Sequence, residues 1–240
     1  MADYAIKWDE AGTRLYETGV DHGVLFPYHD TKSNDTNYYD GVAWNGLTTV
    51  TQSPSGAEAN DIYADNMKYL SLRSAEQFGG TIEAYTYPDE FAECDGSVQI
   101  VDGVFASQQA RKKFGFSYRT KIGSDDKGDD KGYKIHLIYG GTVNPSEKSY
   151  QTVNDSPEAI TFSWELSTEP IPTKFNNVEY RPVAHLEIDS TKADPDSLAA
   201  FEQILYGTAA SQGSAEVKGY MPLPEAVLAM FVSASGGESE

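Results

Sequence analysis

The chain has 240 residues, of which 18 are lysine or arginine and 37 are aspartate or glutamate, so its formal net charge is −19. This balance excludes a basic footprint that grips nucleic-acid phosphates, and the single cysteine, Cys94, excludes an intrachain disulfide. Aromatic residues are too numerous for a wholly disordered chain, and no apolar run approaches the roughly 20 residues needed to cross a bilayer. The polar, acidic first residues do not have the pattern of a secretory signal peptide.

Short strand patterns fill the first hundred residues. Val42 to Val50 is rich in aromatic and β-branched residues and is interrupted by Asn45-Gly46, a dipeptide typical of a tight turn between strands. Ile62 to Leu72 has the composition of one or two strands. Thr81 to Tyr87 alternates regularly, and Glu83 lies on the face opposite the smaller apolar side chains.

The middle of the chain predicts a long hairpin. Phe114 to Lys121 alternates between apolar side chains and polar ones, and Tyr133 to Tyr139 alternates again after a polar, glycine-rich linker. In the first run we expect one set of side chains to face inward and the other to face water. The inward set is Phe114, Phe116 and Tyr118, and the outward set is Ser117, Arg119 and Lys121.

The clearest strand pattern is Ala159 to Ser167. Ile160, Phe162, Trp164 and Leu166 share one face, which predicts a strand with one dry face and one wet face. We therefore expect Trp164 in the core. Glu165 alternates with these residues and is predicted to face outward.

Helical patterns appear only after the strands. Asp194 is a plausible N-cap, Pro195 occupies the first helical position, and apolar residues recur at helical spacing as far as Gly207. Leu223-Pro224-Glu225 starts a short C-terminal helix, and residues 233–240 form an acidic tail. Strands followed by helices predict a mainly β fold, an antiparallel β-sandwich or barrel with one main α-helix and a short C-terminal helix packed outside it.

The sequence contains no arrangement that predicts an enzyme. It has no G-x-S-x-G turn, no phosphate-binding P-loop and no H-E-x-x-H pair, and its four histidines are scattered. The acidic loop Asp125 to Asp130 is the best metal candidate. Because it lacks the alternating ligands and closing glutamate of a calcium-binding EF-hand loop, a solvated hairpin tip is the stronger interpretation. We predict no catalytic residues, no metal and no cofactor.

Several long phrases carry a family resemblance. The first is GVAWNGLTTVTQSPSGAEANDIYADNMKYLSL, and TIEAYTYPDEFAECDG follows it. Further parts are Phe114 to Thr120, Tyr133 to Gly140, Asn154 to Glu165 and Leu198 to Gly207. In this order the chain resembles the major tail tube protein of long-tailed (siphovirus-type) bacteriophages that infect Gram-positive bacteria. The resemblance covers most of the chain, but it does not extend to Thr31–Tyr39, Thr173–Tyr180 or the last nine residues.

The resemblance implies a structural role. In that family, six copies form a ring whose inner sheets make one continuous barrel, and stacked rings form the tube through which the genome leaves the capsid. The implied localisation is the virion tail, assembled in the bacterial cytoplasm. The implied partners are further copies of the chain, the tail tip or initiator, tape measure and tail terminator proteins, and DNA in transit without specific binding. No membrane partner is implied.

The resemblance also implies where contacts lie. Residues 1–232 are expected to form one tail tube domain, with a long loop or arm within 27–59 that reaches a neighbouring ring. The candidate contacts between rings or subunits are Trp44, Asn45, Gly46 and Pro54. For Trp44, ordinary packing inside the subunit is the competing interpretation. Glu83 and Glu165 are the candidate lumen-facing residues, since a negative wall repels phosphate.

Other classes stay open at this point. A carbohydrate-binding or adhesive β-sandwich would use the sixteen tyrosines as a platform, and a β-sandwich hydrolase would bring its catalytic residues together only in the fold. A related tail-end or joining protein of the virion is the nearest rival. Neither the carbohydrate-binding sandwich nor the hydrolase accounts for the long phrase that begins at Gly41.

Overall fold

A computed structural model describes residues 8, 10–153, 155, 158–211 and 215–235. The fold is mainly β, with 53% of the structure in strands and 12% in helices, which confirms the predicted class. The described residues form nineteen strands and two α-helices, and every strand pair among them is antiparallel.

One nine-stranded sheet organises the described part of the chain. Its strands are β1 (Leu15–Ser33), β2 (Thr36–Tyr38), β3 (Val42–Trp44), β4 (Leu47–Gln52), β9 (Gly79–Ala84), β12 (Phe114–Ser124), β13 (Gly128–Val143), β14 (Phe162–Thr168) and β17 (His185–Asp189). The main path through the sheet runs β2-β1-β12-β13-β14-β9-β4, while β3 pairs with β1 and β17 pairs with β13. The predicted hairpin is confirmed as β12 and β13, which pair from Phe114 and Gly141 to Ser124 and Gly128.

The other strands form two-stranded pairs: β5 with β8, β6 with β7, β10 with β11, β15 with β16, and β18 with β19. They are β5 (Ser55–Gly56), β6 (Ala59–Ala64), β7 (Met67–Arg73), β8 (Glu76–Gln77), β10 (Val98–Val101), β11 (Val104–Ala106), β15 (Ile171–Phe175), β16 (Val178–Val183), β18 (Gly207–Thr208) and β19 (Val217–Lys218).

An aromatic core lies on one face of the main sheet. Trp44, Phe91, Phe116 and Trp164 meet there at tilted or edge-to-face angles, with ring centroids 4.5–5.5 Å apart. Phe91 comes from a short 3-10 helix, Asp89–Glu93, that packs below the sheet. We call this cluster the inner core.

A second core lies on the opposite face of β1 and β13, beneath two helices of twelve residues each. They are α1 (Pro195–Tyr206) and α2 (Pro224–Ser235). The side chain of Asp194 accepts a hydrogen bond of 2.8 Å from the Ser197 backbone N–H, which confirms the predicted N-cap. Phe201 and Leu205 of α1 pack against Leu137 and its neighbours in this helix-side core. The second helix is therefore as long as the first, rather than short.

On one edge, β13 pairs with β17 before Gly140 and with β14 after it, so this strand belongs to two parts of the sheet. Before it, Tyr139 N–H donates to Ala184 O at 2.8 Å, and Gly140 O accepts from Glu169 N–H at 3.0 Å. Gly140 has φ +60°, a conformation that glycine adopts without strain. The sheet divides here into a part covered by the helices and a part formed by β14, β9 and β4.

Two predicted details differ from the structure. The strand expected over Ala159–Ser167 begins only at Phe162, and Ile160 is exposed. Ser117, expected to face water, is fully buried because the helix-side core covers the second face of β12. The predicted tail 233–240 overlaps the end of α2 at 233–235, and 236–240 lie outside the described residues.

Candidate assembly surfaces

The part of the sheet formed by β4, β9 and β14 has one apolar face and one polar face. Ile82, Trp164 and Leu166 point into the inner core, so the residues alternating with them lie on the opposite face. No residue of these three strands belongs to the cluster beneath the helices, as far as that cluster is described. We call this surface the polar face. Its alternating residues are Thr49, Thr51, Thr81, Glu83, Ser163, Glu165 and Ser167.

The structure brings Glu83 and Glu165 together on the polar face. Ser163 lies opposite Glu83 and Thr81 lies opposite Glu165 in the ladder, so the two glutamates are diagonal neighbours on adjacent strands. Glu83 is half-buried and Glu165 is exposed. β4, β9 and β14 contain no lysine or arginine, so the charge that these strands contribute to the face is negative.

Two cations of the neighbouring strands, Arg119 and Lys134, are paired away from the polar face. Arg119 donates two hydrogen bonds to Asp21, of 2.8 and 3.2 Å, and its guanidinium lies 4.8 Å from the centre of the Tyr133 ring. Although partial burial favours the neutral acid, the bonds from Arg119 hold the pKa of Asp21 below its ordinary value. Lys134 lies between Glu17 and Glu187, at 2.5 and 2.9 Å. Neither cation therefore neutralises the polar face.

Trp44 corrects the expectation of a contact between subunits. Its side chain is 2% exposed and fills the centre of the inner core. The indole N–H donates to Thr86 O at 2.9 Å. The side chain could reach a neighbouring copy only by leaving this core, so ordinary packing inside the subunit is the role that its position supports.

The other three predicted contact residues are on the surface. Asn45 and Gly46 form the exposed turn between β3 and β4, where Gly46 O accepts a 2.9 Å hydrogen bond from Tyr85 N–H. Gly46 has φ +78°, as the Asn-Gly pattern predicted. Pro54 is exposed where the chain leaves β4. Their proposed contacts with another copy remain predictions.

An exposed apolar hairpin continues from β4 and β9. We call residues 53–78 the arm; it consists of β5 paired with β8 and then β6 paired with β7. Tyr63, Met67 and Tyr69 are 68%, 65% and 69% exposed, and every residue of β7 is on the surface. The loop expected within 27–59 overlaps the arm only from residue 53, because β1 to β4 occupy most of the earlier range.

A second exposed hairpin is formed by β10 and β11. Ile100, Val101, Val104 and Phe105 are exposed on it, and Asp102 at the turn is its single charged residue. Grouped apolar side chains of this size at a surface are typical of an interaction site rather than of scattered exposure. The sequence predicted no contact for this hairpin.

The acidic loop closes the β12–β13 hairpin, and hydrogen bonds from Gly12, Tyr16 and Ser124 hold its aspartates. Asp125 accepts from Gly12 N–H at 2.9 Å, Asp129 from the Tyr16 hydroxyl at 2.7 Å, and Asp126 from the Ser124 hydroxyl at 2.5 Å. Within the described ranges, no group of three or more histidine, cysteine or acidic side chains could hold a metal ion.

The sequence did not predict that two histidines meet. His136 and His185 are 49 residues apart, yet their ring nitrogens approach to 3.2 Å because β13 and β17 pair in register. The signal available in the sequence was that each lies on the polar side of an alternating strand, which does not reveal pairing between strands.

No protein-family model matches the chain, and no curated protein matches it either. Neither helix in the described part of the chain is long and apolar enough to cross a membrane.

Proposed function

We propose that this protein is a structural virion protein that assembles as stacked six-membered rings into the tail tube of a long-tailed bacteriophage. The observation that carries the proposal is the combination of an uncovered, cation-free polar face with an exposed apolar arm on the same strands, β4 and β9. The resemblance of the long phrases that begin at Gly41 to tail tube proteins supports the proposal.

The polar face suits the wall of a conduit for DNA. In this proposal β4, β9 and β14 line the lumen, and every copy contributes Glu83 and Glu165. Carboxylates repel the DNA backbone, and threonine and serine side chains offer no cationic grip on phosphate. DNA then passes without binding. A basic lumen in a map of the assembled tube would contradict this part of the proposal.

The arm suits a contact with another copy. Tyr63, Met67 and Tyr69 are costly to leave in water, because burying one large apolar side chain contributes roughly 1.5–3 kcal/mol. A partner that covers several of them gains enough to offset part of the entropy lost on association. The resemblance alone favours the tube of a flexible tail over the inner tube of a contractile one.

Electron microscopy of the purified, concentrated protein at two salt concentrations tests the proposal. We expect hollow tubes or six-fold rings, more abundant at higher salt, because each copy carries a net charge of −19 that salt screens. Fewer tubes at higher salt would contradict the electrostatic argument. A protein that stays monomeric at all concentrations and is retained on a glycan column would favour the carbohydrate-binding alternative.

Paired variants distinguish a specific contact through the arm from non-specific association through exposed aromatic residues. Tyr63→Ser combined with Tyr69→Ser should abolish tubes while leaving thermal unfolding of the monomer unchanged, because neither residue belongs to a core cluster. Tyr150→Ser is the matched control, since Tyr150 is 73% exposed in a loop outside the arm. Tubes that form normally from the arm variant would exclude the arm as the contact.

A further inference from the structure

The root of the arm rests on a histidine pair. The arm leaves the sheet after Gln52, the last residue of β4, and returns at Phe78, just before β9. A backbone hydrogen bond of 2.8 Å from Ser53 N–H to Gly79 O joins the two segments there. Both Gln52 and Phe78 contact the pair formed by the buried His136 and the half-buried His185, so both strands of the root touch the same pair.

Phe78 is held by stacking. Its ring lies 4.7 Å from the His185 ring, with 7° between the planes. On the other side of the pair, the His136 ring lies 4.6 Å from the Tyr118 ring at 9°. The two imidazoles are 5.4 Å apart at 13°, with Nδ1 of His136 and Nε2 of His185 separated by 3.2 Å. These values describe rings that meet edge to edge in a hydrogen bond between nitrogens.

Gln52 is held by hydrogen bonds to the same group. Its side-chain amide donates to the Tyr118 hydroxyl at 2.6 Å and lies 3.5 Å from Nδ1 of His136. Nε2 of His136 lies 3.0 Å from the Thr120 hydroxyl. One assignment of hydrogens satisfies all these contacts: both rings are neutral, Nδ1 of His136 accepts from His185 and Gln52, and Nε2–H donates to Thr120.

This arrangement requires an unprotonated pair. A proton from solvent on Nδ1 of His136 turns the acceptor into a donor, which then faces the N–H of His185 and the amide of Gln52. A second proton on His185 places two cations at 3.2 Å. Protonation of both rings therefore sets two cations edge to edge, and their repulsion opposes the packing of the pair against Gln52 and Phe78 at the root of the arm.

The charged groups around the pair come from three strands. Glu187 of β17 lies 3.8 Å from Nδ1 of His136, and Lys134 of β13 bridges Glu187 and Glu17 of β1. The two carboxylates favour protonation of His136, but burial outweighs them and lowers its pKa. Burial, with repulsion from a charged His136, lowers the pKa of His185 to about 4. Both rings are consequently neutral at neutral pH.

We propose that His136 and His185 form an acid-sensitive latch that holds the root of the arm against the sheet and releases it on protonation. The inference concerns a single copy and does not depend on assembly. The tail tube proposal does not use His136 or His185. If the arm contacts a neighbouring copy as proposed, its root sets the position of the contact surface, so the latch would regulate that contact.

Hydrogen exchange of the monomer at pH 7, 5.5 and 4 tests the latch. After correction for intrinsic exchange, root amides such as that of Ser53 should exchange about 100-fold faster at pH 4 than at pH 7, because the opened root binds protons that the closed root excludes. Amides in the middle of β12 and β13 should not change to the same extent. A parallel rise across the whole sheet would mean general acid unfolding and would overturn the proposal.

Glutamine variants identify the groups responsible. His136→Gln and His185→Gln should each reduce the pH step, and together they should abolish it, since glutamine hydrogen-bonds without titrating. His22→Gln is the matched control, because His22 is on the surface and contacts neither the pair nor the root. A full step in the double variant would overturn the proposal.

A titration of the wild-type histidines does not require any variant to fold. Ring resonances of His136 and His185 should titrate below the ordinary value for a histidine, because burial lowers the pKa of both rings. Titration of both rings near the ordinary value, with an unchanged root, would overturn the latch. Failure of tube assembly would leave these measurements unaffected, so the latch and the proposed function are tested separately.

Discussion

Replacing Trp44 distinguishes a core residue from an interface anchor. The side chain is 2% exposed and contacts three other aromatic rings, so Trp44→Ala leaves a large cavity in the inner core. Truncations of this kind cost about 3–5 kcal/mol. Because domains have a total stability of roughly 5–15 kcal/mol, the variant should lose a large fraction of its free energy of unfolding.

A milder substitution keeps the prediction measurable. Trp44→Phe retains an aromatic ring but loses the indole N–H that donates to Thr86 O. Thr86 is exposed, so water can replace the lost donor, and we expect a loss of about 1–2 kcal/mol. Urea unfolding followed by tryptophan fluorescence of the remaining indoles and by circular dichroism measures both variants.

The neighbouring Asn45 provides the control, since Asn45→Ala changes an exposed side chain and should alter the free energy of unfolding by less than about 0.5 kcal/mol. The reasoning would be refuted by a Trp44→Ala protein that unfolds at the wild-type urea concentration. If that protein also failed to assemble, the original expectation of an anchor between subunits would be restored.

Three further substitutions or reactions test the packing. Gly140→Ala should cost more than about 2 kcal/mol, because φ is +60° and the new methyl group would lie 2.2 Å from Glu169 O; near-wild-type melting would contradict this. Tyr139→Phe should cost about 1 kcal/mol by removing the 2.9 Å hydrogen bond to Pro222 O, and an unchanged urea midpoint would exclude that bond as a contributor. Burial raises the pKa of Cys94 to about 12, which lowers its thiolate fraction at pH 8 more than its higher nucleophilicity compensates, so the native thiol should react with a disulfide reagent at least about tenfold more slowly than a free thiol; rapid reaction before unfolding would refute its burial.

Alternation in the sequence predicted the strands well, but it predicted burial on only one face of the sheet. Phe114, Phe116 and Tyr118 are buried in the inner core, as expected. Ser117 was expected in water and is fully buried, because the helix-side core covers the other face of β12. A period of two identifies which residues share a face, but it does not show what a distant segment places over the opposite face.

Pairing at long range explains the other differences. Trp44 lies in an irregular stretch, so no pattern showed that Phe91 and Trp164 would surround it. His136 and His185 became neighbours only through the register of β13 and β17. In contrast, the caps and turns at Asp194 and Gly46 depend on adjacent residues, and these were predicted from the sequence.

The hairpin of β6 and β7 carries no net charge, whereas the chain as a whole is strongly acidic. Copies that each carry −19 repel one another wherever their acidic surfaces approach. The hairpin of β6 and β7 is an exception, since Asp61 and Asp65 are balanced there by Lys68 and Arg73. A contact made through this hairpin buries tyrosine and methionine without bringing net charge close to the partner. Salt should therefore act mainly on repulsion between the bodies of neighbouring copies, and variants of the arm's apolar residues should reduce assembly at every salt concentration.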